Sequence, residues 1–474
     1  MDLTQAYPIP LWLLLLMVAA TLWALLTRLL IPSVRWFLRR RVNRVLDEIS
    51  KVLDIGIRPF QLTKRQVLID RLVYDTKVIE AVNQHAAEHN MPRDVVQAKV
   101  LEYAREIVPA FNAYIYFRVG YWAAKGFARL LYRVRVGFIE DDCLKAIDPE
   151  ATVVFVMNHR SNMDYVLVSF LVAERTALSY AVGEWARVWL LQSLVRSMGA
   201  FFVRRNSGSA LYRRVLERYI AMATQEGVCQ AVFPEGGLSR DGALREPRLG
   251  ILDYMMRNYD PEHDREIVFV PVGLNYDRTF EDRTLLRAME ENAERRSKIF
   301  VVKTTLRFIG HNLSLMLRSR WNRLGFAQVN FGYPVSARAF CAENAINFRH
   351  LSTDERFTYV QRLAENLMSA IAEVIPVLPT AVIAQVLIQH SDTPMPGTGI
   401  VHQAMENIAA LEQQGVLVTL PRLTRAHNLK TALDMLALRH IIEQEDDTYT
   451  VPKESLLILH YYANTLAHRK TASP

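Results

Sequence analysis

The residues best suited to chemistry lie together in one short stretch, Asn158-His159-Arg160-Ser161-Asn162-Met163-Asp164. Histidine titrates near neutral pH and exchanges protons readily. A carboxylate five positions on could fix its ring and stabilise the imidazolium. Five residues turn a helix through about 500°, which leaves the two side chains roughly 140° apart, so one continuous helix would keep them separate. The apolar run Thr152–Met157 before the stretch and the apolar run 165–173 after it predict a strand, a turn and a helix start. At that junction His159 falls in the turn and Asp164 in the first helical turn. Asp164 has a second role open to it, because Ser161 and Asp164 have the spacing of a capping box with Ser161 as N-cap. Capping alone leaves His159 unexplained.

Three further pieces have the residue types of a binding site. Gly199-Ala200-Phe201-Phe202-Val203-Arg204-Arg205 is an apolar β-run that stops at two arginines. Alternation points them in opposite directions, so at most one faces a shared pocket, where a guanidinium would hold an anion. Two solvated surface arginines would read the same way. Next, a strand ending at Phe233 runs into Pro234, Glu235, Gly236, Gly237, Leu238, Ser239 and Arg240. The glycines let backbone amides close on a ligand, and Arg240 would complete an anion cradle, although a plain glycine-rich turn has the same composition. The stretch lacks the Gly-Lys-Ser/Thr ending of a P-loop and the Gly-x-Ser-x-Gly of a nucleophile elbow. Last, Ile267-Val268-Phe269-Val270-Pro271-Val272-Gly273 carries a proline inside an apolar run, which predicts a strand end or a bulge at Pro271.

The elements that must position these pieces alternate. Short β-rich runs at 152–157, 178–182, 200–203, 229–233, 267–272 and 327–331 are separated by amphipathic stretches at 185–198, 210–224 and 249–259. That alternation predicts an α/β domain over 135–346, a mostly parallel sheet flanked by helices. Ligands in such sheets bind beyond the carboxyl ends of strands, where the His159 turn lies.

Residues 31–134 read as helical, and 111–132 mixes aromatics with Arg118, Lys125 and Arg129, which suits either a headgroup interface or a helix packed on the sheet domain. Residues 347–474 read as a C-terminal helical domain, with a small hairpin at 441–451 turning at Glu445-Asp446-Asp447. The run 377–388 is apolar but interrupted by Pro379 and too short to span a membrane.

Residues 9–27 are nineteen positions without a charge, followed by Arg28, Arg35, Arg39, Arg40, Arg41 and Arg44. The run would reach roughly 28 Å as a helix, enough for a membrane anchor over residues 1–30. Positive charge after it, and not before, argues against a cleaved signal peptide and places the remainder on the cytoplasmic face, in a bacterial cell the inner membrane. An apolar share of 51% with 22% charged residues in 474 fits added lipid-facing surface. The net charge of +8 favours anionic partners, and arginines gathered beside the apolar run favour phospholipid over nucleic acid. Cys143, Cys229 and Cys341 follow no metal or disulfide spacing.

Taken in order, Asn-His-Arg-Ser-x-x-Asp-Tyr, Gly-Ala-Phe-Phe-x-Arg-Arg, Glu-Gly-Gly-x-Ser-Arg and the Pro271 run resemble the four motif blocks of the phospholipid/glycerol acyltransferase superfamily. The chain most resembles the membrane-bound glycerol-3-phosphate 1-O-acyltransferases of bacterial type. The resemblance implies transfer of a fatty acyl group from acyl-CoA or acyl carrier protein to the sn-1 hydroxyl of glycerol 3-phosphate, giving lysophosphatidate. It implies no cofactor beyond that acyl-thioester co-substrate. It makes His159 the general base, oriented by Asp164, and assigns Arg160, Ser161, Arg204 or Arg205, Glu235, Gly236, Gly237, Ser239, Arg240 and Pro271 to the substrate site. Leu238 stands where the family commonly has arginine, and Ser207-Gly208-Ser209-Ala210 stands where a lysine often follows the second block. Dihydroxyacetone phosphate and lysophosphatidate therefore remain open as acceptors. A hydrolase using Ser161 or Ser239 as nucleophile is the competing enzyme class.

Overall fold

Every residue of Thr152–Met157 is buried, as a strand covered on both faces requires. Val154 and Val156 enter one apolar core, and Val153, Phe155 and Met157 the other. The computed structural model describes residues 10–25, 58–113, 115–138, 144–172, 176–182, 196–204, 208–287 and 324–469. It divides into two compact units, Met1–Leu53 and Asp54–Pro474.

In the first unit, helix α1 covers Leu11–Leu25. Its fifteen residues reach about 22 Å, and among the described residues no single helix is long and apolar enough to cross a membrane.

In the second unit the order is α2 (Arg65–Val73), α3 (Thr76–Glu88), α4 (Arg93–Ile107), α5 (Tyr121–Leu131), β1 (Arg133–Phe138), β2 (Thr152–Met157), α6 (Met163–Val172), β3 (Ser179–Val182), β4 (Ala200–Phe202), α7 (Ala210–Gln225), β5 (Gln230–Val232), α8 (Gly250–Met256), β6 (Ile267–Tyr276), α9 (Asp282–Arg287), β7 (Phe326–Phe331) and β8 (Val335–Ser336). There follow α10 (Thr353–Val374), α11 (Pro379–Gln389), β9 (Met395–Pro396), α12 (Gly397–Gln413), α13 (Arg425–Leu438), β10 (Glu443–Glu445), β11 (Thr448–Thr450) and α14 (Leu456–Ala463).

The main sheet has the order β1-β7-β6-β2-β5-β3-β4, with β8 also on β6. Its pairings are parallel except where β7 and β8 meet β6. The expected mostly parallel α/β sheet is thus present. Helices α2, α3, α4, α7, α8 and α10 contribute to the core on one face. On the other, α5 buries Ala124, Ala128 and Leu131 beside α6, while Trp122 stays exposed. A third core joins α11 to α14, and the expected hairpin forms as β10 and β11 with β9 alongside.

Pro379 begins α11 in place of breaking it, with Leu378 as N-cap. Joined to α10 across an 89° bend, α11 would pass a membrane test by length and composition alone, yet its apolar residues fill the third core.

Pro271 is a correction: it neither ends β6 nor bulges it, since the strand runs on to Tyr276. On the side away from β2, β6 pairs with β8 at Val268 and Phe269 and with β7 only from Val272 onward. The proline falls between these two partners, where no N–H is asked of it, and its carbonyl accepts from Gly332 N at 2.9 Å.

Candidate active site

The carboxyl end of β2 delivers the turn. Asn158 fastens it to β6, donating from Nδ2 to Leu274 O (2.9 Å) and accepting from Leu274 N (2.8 Å). His159 is tied to the loop after β5 through its backbone, with its N–H donating to Glu235 Oε1 (2.8 Å) and its carbonyl accepting from Ser239 N (2.9 Å). Its ring stacks on Phe233 at 4.0 Å and meets Tyr165 edge-on at 5.4 Å.

His159 Nδ1 lies 2.9 Å from Asp164 Oδ2. The same oxygen accepts from Arg160 N (2.7 Å) and Ser161 N (3.0 Å), while Tyr276 Oη donates to Oδ1 (2.6 Å). A carboxylate meeting four donors is an acceptor throughout, so Nδ1 carries a proton, and in the neutral ring the lone pair lies on Nε2. Nε2 is buried and has no hydrogen-bond partner among the described residues. His159 is 1% exposed, so Nε2 is shielded from bulk solvent.

The two readings of Asp164 prove compatible. Ser161 N donates to Asp164 while Ser161 Oγ accepts from Met163 N (3.1 Å), so the carboxylate that caps the first turn of α6 also orients the imidazole.

Glu235 is a brace of this turn. Its second oxygen accepts from Arg245 N (3.2 Å), and burial pushes its carboxyl up to about 7 from an ordinary 4.5. The folded chain therefore holds a proton between pH 4.5 and 7 that the unfolded chain releases. Stability contributed by this group is full below pH 4.5 and falls as pH rises through 7, by on the order of 3 kcal/mol. Denaturant midpoints are expected to fall less steeply over that window in Glu235→Gln than in the wild type.

Gly236 has φ +65° with the Arg248 side chain against its Cα, and Gly237 is buried behind it. Ser239 Oγ donates to Ala243 O (2.7 Å) and accepts from Gly242 N (3.1 Å), which closes a local turn. Ser161 Oγ donates to Glu281 Oε2 (2.7 Å). Neither hydroxyl is bonded to a histidine among the described residues, so neither forms the Ser–His pair of a nucleophilic serine. Arg240 is exposed.

Arg160 is buried, donates from Nη1 to Gly242 O (2.5 Å) and lies over the Tyr461 ring of α14 at 4.7 Å. Its Nε and Nη2 are buried and unpartnered among the described residues. Gly242, at φ +89°, packs its Cα directly on the Tyr461 carbonyl. Gly242→Ala is expected to lower stability by at least ~2 kcal/mol, through both backbone strain and displacement of α14, as read by urea denaturation.

Arg204 lies elsewhere on the sheet. It follows edge strand β4, three strand spacings or about 14 Å from β2. There Glu106 of α4 binds its Nε at 2.9 Å and Nη2 at 2.5 Å, and the guanidinium lies 5.2 Å from each of the rings of Tyr103 and Tyr212. Arg205 lies outside the described residues. Pro271 pairs with Val156 in mid-sheet. Tyr276, Glu281, Arg245 and Tyr461 were not expected at the site. No local pattern marks them: Tyr276 arrives by strand pairing, Glu281 and Tyr461 from or beside helices far along the chain, and Arg245 by the return of the loop after β5.

Two family descriptions match the sequence: "Acyltransferase" over residues 139–275 and "Glycerol-3-phosphate acyltransferase C-terminal region" over residues 312–470. The first of these spans the His–Asp turn, and the second the C-terminal helical region. The chain is similar in sequence to bacterial proteins named glycerol-3-phosphate acyltransferase. The protein of that name from Pseudomonas entomophila (strain L48) is 27% identical over 90% of this chain and 52% of its own. That from Xanthomonas campestris pv. campestris is 26% identical over 92% and 49%, and that from Pseudomonas aeruginosa (strain UCBPP-PA14) 30% over 64% and 35%. The chain thus spans about half the length of the curated relatives it matches, or less. The solved 1-acyl-sn-glycerophosphate acyltransferase of Thermotoga maritima aligns to 64% of this chain at 13% identity and a TM-score of 0.29, below the level at which two folds count as alike.

Proposed function

We propose that the chain transfers a fatty acyl group from a thioester donor, acyl-CoA or acyl carrier protein, to the sn-1 hydroxyl of glycerol 3-phosphate, forming lysophosphatidate. The observation that carries this reading is the unpartnered Nε2 of His159, held in its basic tautomer by Asp164. As the hydroxyl oxygen attacks the thioester carbon, Nε2 takes its proton. The tetrahedral intermediate then collapses, the C–S bond breaks, and the imidazolium returns the proton to the departing thiolate. Asp164 balances the imidazolium charge meanwhile. The two unused guanidinium donors of Arg160 suit an anionic acceptor or the developing oxyanion.

Relatives that carry the name glycerol-3-phosphate acyltransferase support this acceptor. Purified protein offered glycerol 3-phosphate, dihydroxyacetone phosphate and lysophosphatidate with acyl-CoA and acyl carrier protein tests it directly. Preference for either of the other two acceptors would replace the assignment.

The apolar run at 9–27, with arginines after it, anchors the chain in a bacterial inner membrane and leaves residues 135–346 on the cytoplasmic face beside their lipid product. A chain lacking residues 1–30 is expected to leave the membrane fraction while keeping the His159 turn. Unchanged sedimentation with membranes would remove residues 1–30 as the anchor.

A further inference from the structure

The two consecutive carboxylates that open α9 face different parts of the molecule. Glu281 faces the His159 turn, where its Oε2 accepts from Ser161 Oγ (2.7 Å) and its Oε1 from Asn162 N (3.1 Å) and Asn162 Nδ2 (3.0 Å). Ser161 and Asn162 are the two residues between Arg160 and the start of α6, and Ser161 N is itself a donor to Asp164. Glu281 therefore holds a segment that carries one of the four donors to Asp164, Ser161 N, and adjoins a second, Arg160 N.

Asp282 faces the C-terminal region. It is buried, and its Oδ2 accepts from Arg439 Nη2 (2.5 Å) and Tyr462 Oη (2.5 Å), while Arg439 Nη1 donates to the same hydroxyl (2.9 Å). Arg439 follows α13 and Tyr462 lies in α14, next to the Tyr461 that covers Arg160. A buried carboxylate shared by a guanidinium and a phenol has little freedom, because breaking one partner leaves the others as uncompensated buried groups.

From these bonds we infer that Glu281 is a positioning residue for the His159–Asp164 pair, set in place by the lock of Asp282 on Arg439 and Tyr462, so that the C-terminal region fixes the geometry of the base. The inference rests on the proposed acyl transfer for its kinetic readout and adds a role for the C-terminal region in it. The physical ground is that a displacement of about 1 Å at a reacting group can lower a rate about 10²-fold. Glutamine at 281 keeps one acceptor oxygen and turns the other into a donor that faces Ser161 or Asn162.

The test compares Glu281→Gln, Tyr462→Phe and the double variant in the full chain, on the acceptor the wild type uses. Glu281→Gln is expected to lower kcat about 10–100-fold with KM for that acceptor within about 2-fold. Tyr462→Phe should lower kcat about 3–10-fold, and the double variant should lose no more than Glu281→Gln alone, since both act along one path. Full multiplication of the two losses, or wild-type kcat in Glu281→Gln, overturns the inference. A second readout is the NMR signal of the hydrogen-bonded Nδ1 proton of His159, identified as the downfield imidazole signal missing from His159→Ala. It should shift or broaden in Glu281→Gln. If the wild type turns over no acceptor, the functional reading fails and this signal alone decides, an unmoved proton refuting the positioning role. If Glu281→Gln does not fold, Tyr462→Phe carries the decision by the same two readouts.

Discussion

His159→Ala is expected to lower acyl transfer by about 10³–10⁴-fold while the chain still folds. The loss is large because Nε2 of His159 is the unpartnered basic atom of the turn. Ser161 and Ser239 spend their hydroxyls on Glu281 and Ala243, and Asp164 and Glu235 direct their oxygens at backbone and ring donors. The fold survives because the turn is held through the backbone of residue 159, whose N–H and carbonyl keep Glu235 and Ser239 as partners whatever the side chain. The cost is the stacking on Phe233 and a cavity the size of an imidazole, a few kcal/mol by the usual range for core truncations. Turnover by the purified variant, measured beside its circular dichroism melt, checks both halves. Near-normal turnover would refute His159 as the base.

Asp164 gives the second large effect, and its two substitutions should differ in kind. In Asp164→Asn the amide oxygen can occupy the place of Oδ2 and accept from His159 Nδ1, Arg160 N and Ser161 N. Its NH2 then faces Tyr276 Oη, which can rotate to accept. The geometry is kept and only the charge is lost, so turnover should fall about 10²–10³-fold with little change in thermal midpoint. Asp164→Ala leaves four donors without an acceptor in a fully buried site, at about 1–3 kcal/mol each for those that find no water. That variant should lose stability as well as turnover. An equal drop in melting temperature for the two substitutions would show that the charge, and not the hydrogen-bond count, holds the turn.

Much of this site could be read along the chain because its parts are local. His159, Ser161 and Asp164 lie within six residues, and the apolar runs on either side specify a strand and a helix whose junction must bring them together. Burial on both faces likewise left its mark on composition: Thr152–Met157 appears as an unbroken apolar or β-branched run of strand length. Pro271 was misjudged for a reason of the same kind. The rule against proline in a central strand assumes a continuous ladder on both sides, and only the register of β7 and β8 reveals the gap between them.

The sequence by itself determined the α/β class, the His–Asp junction and the family motifs, all of which depend on spacing and period within a few turns of chain. The tertiary structure alone decided what those residues meet. It put Tyr276 on the second oxygen of Asp164, tied Glu235 to the backbone of His159, and engaged Arg204 with Glu106 at the sheet edge. It also brought Tyr461 over Arg160 from 301 positions away in the chain. Such contacts link residues with no fixed separation in sequence: strand order and helix docking choose them, and no periodicity records that choice.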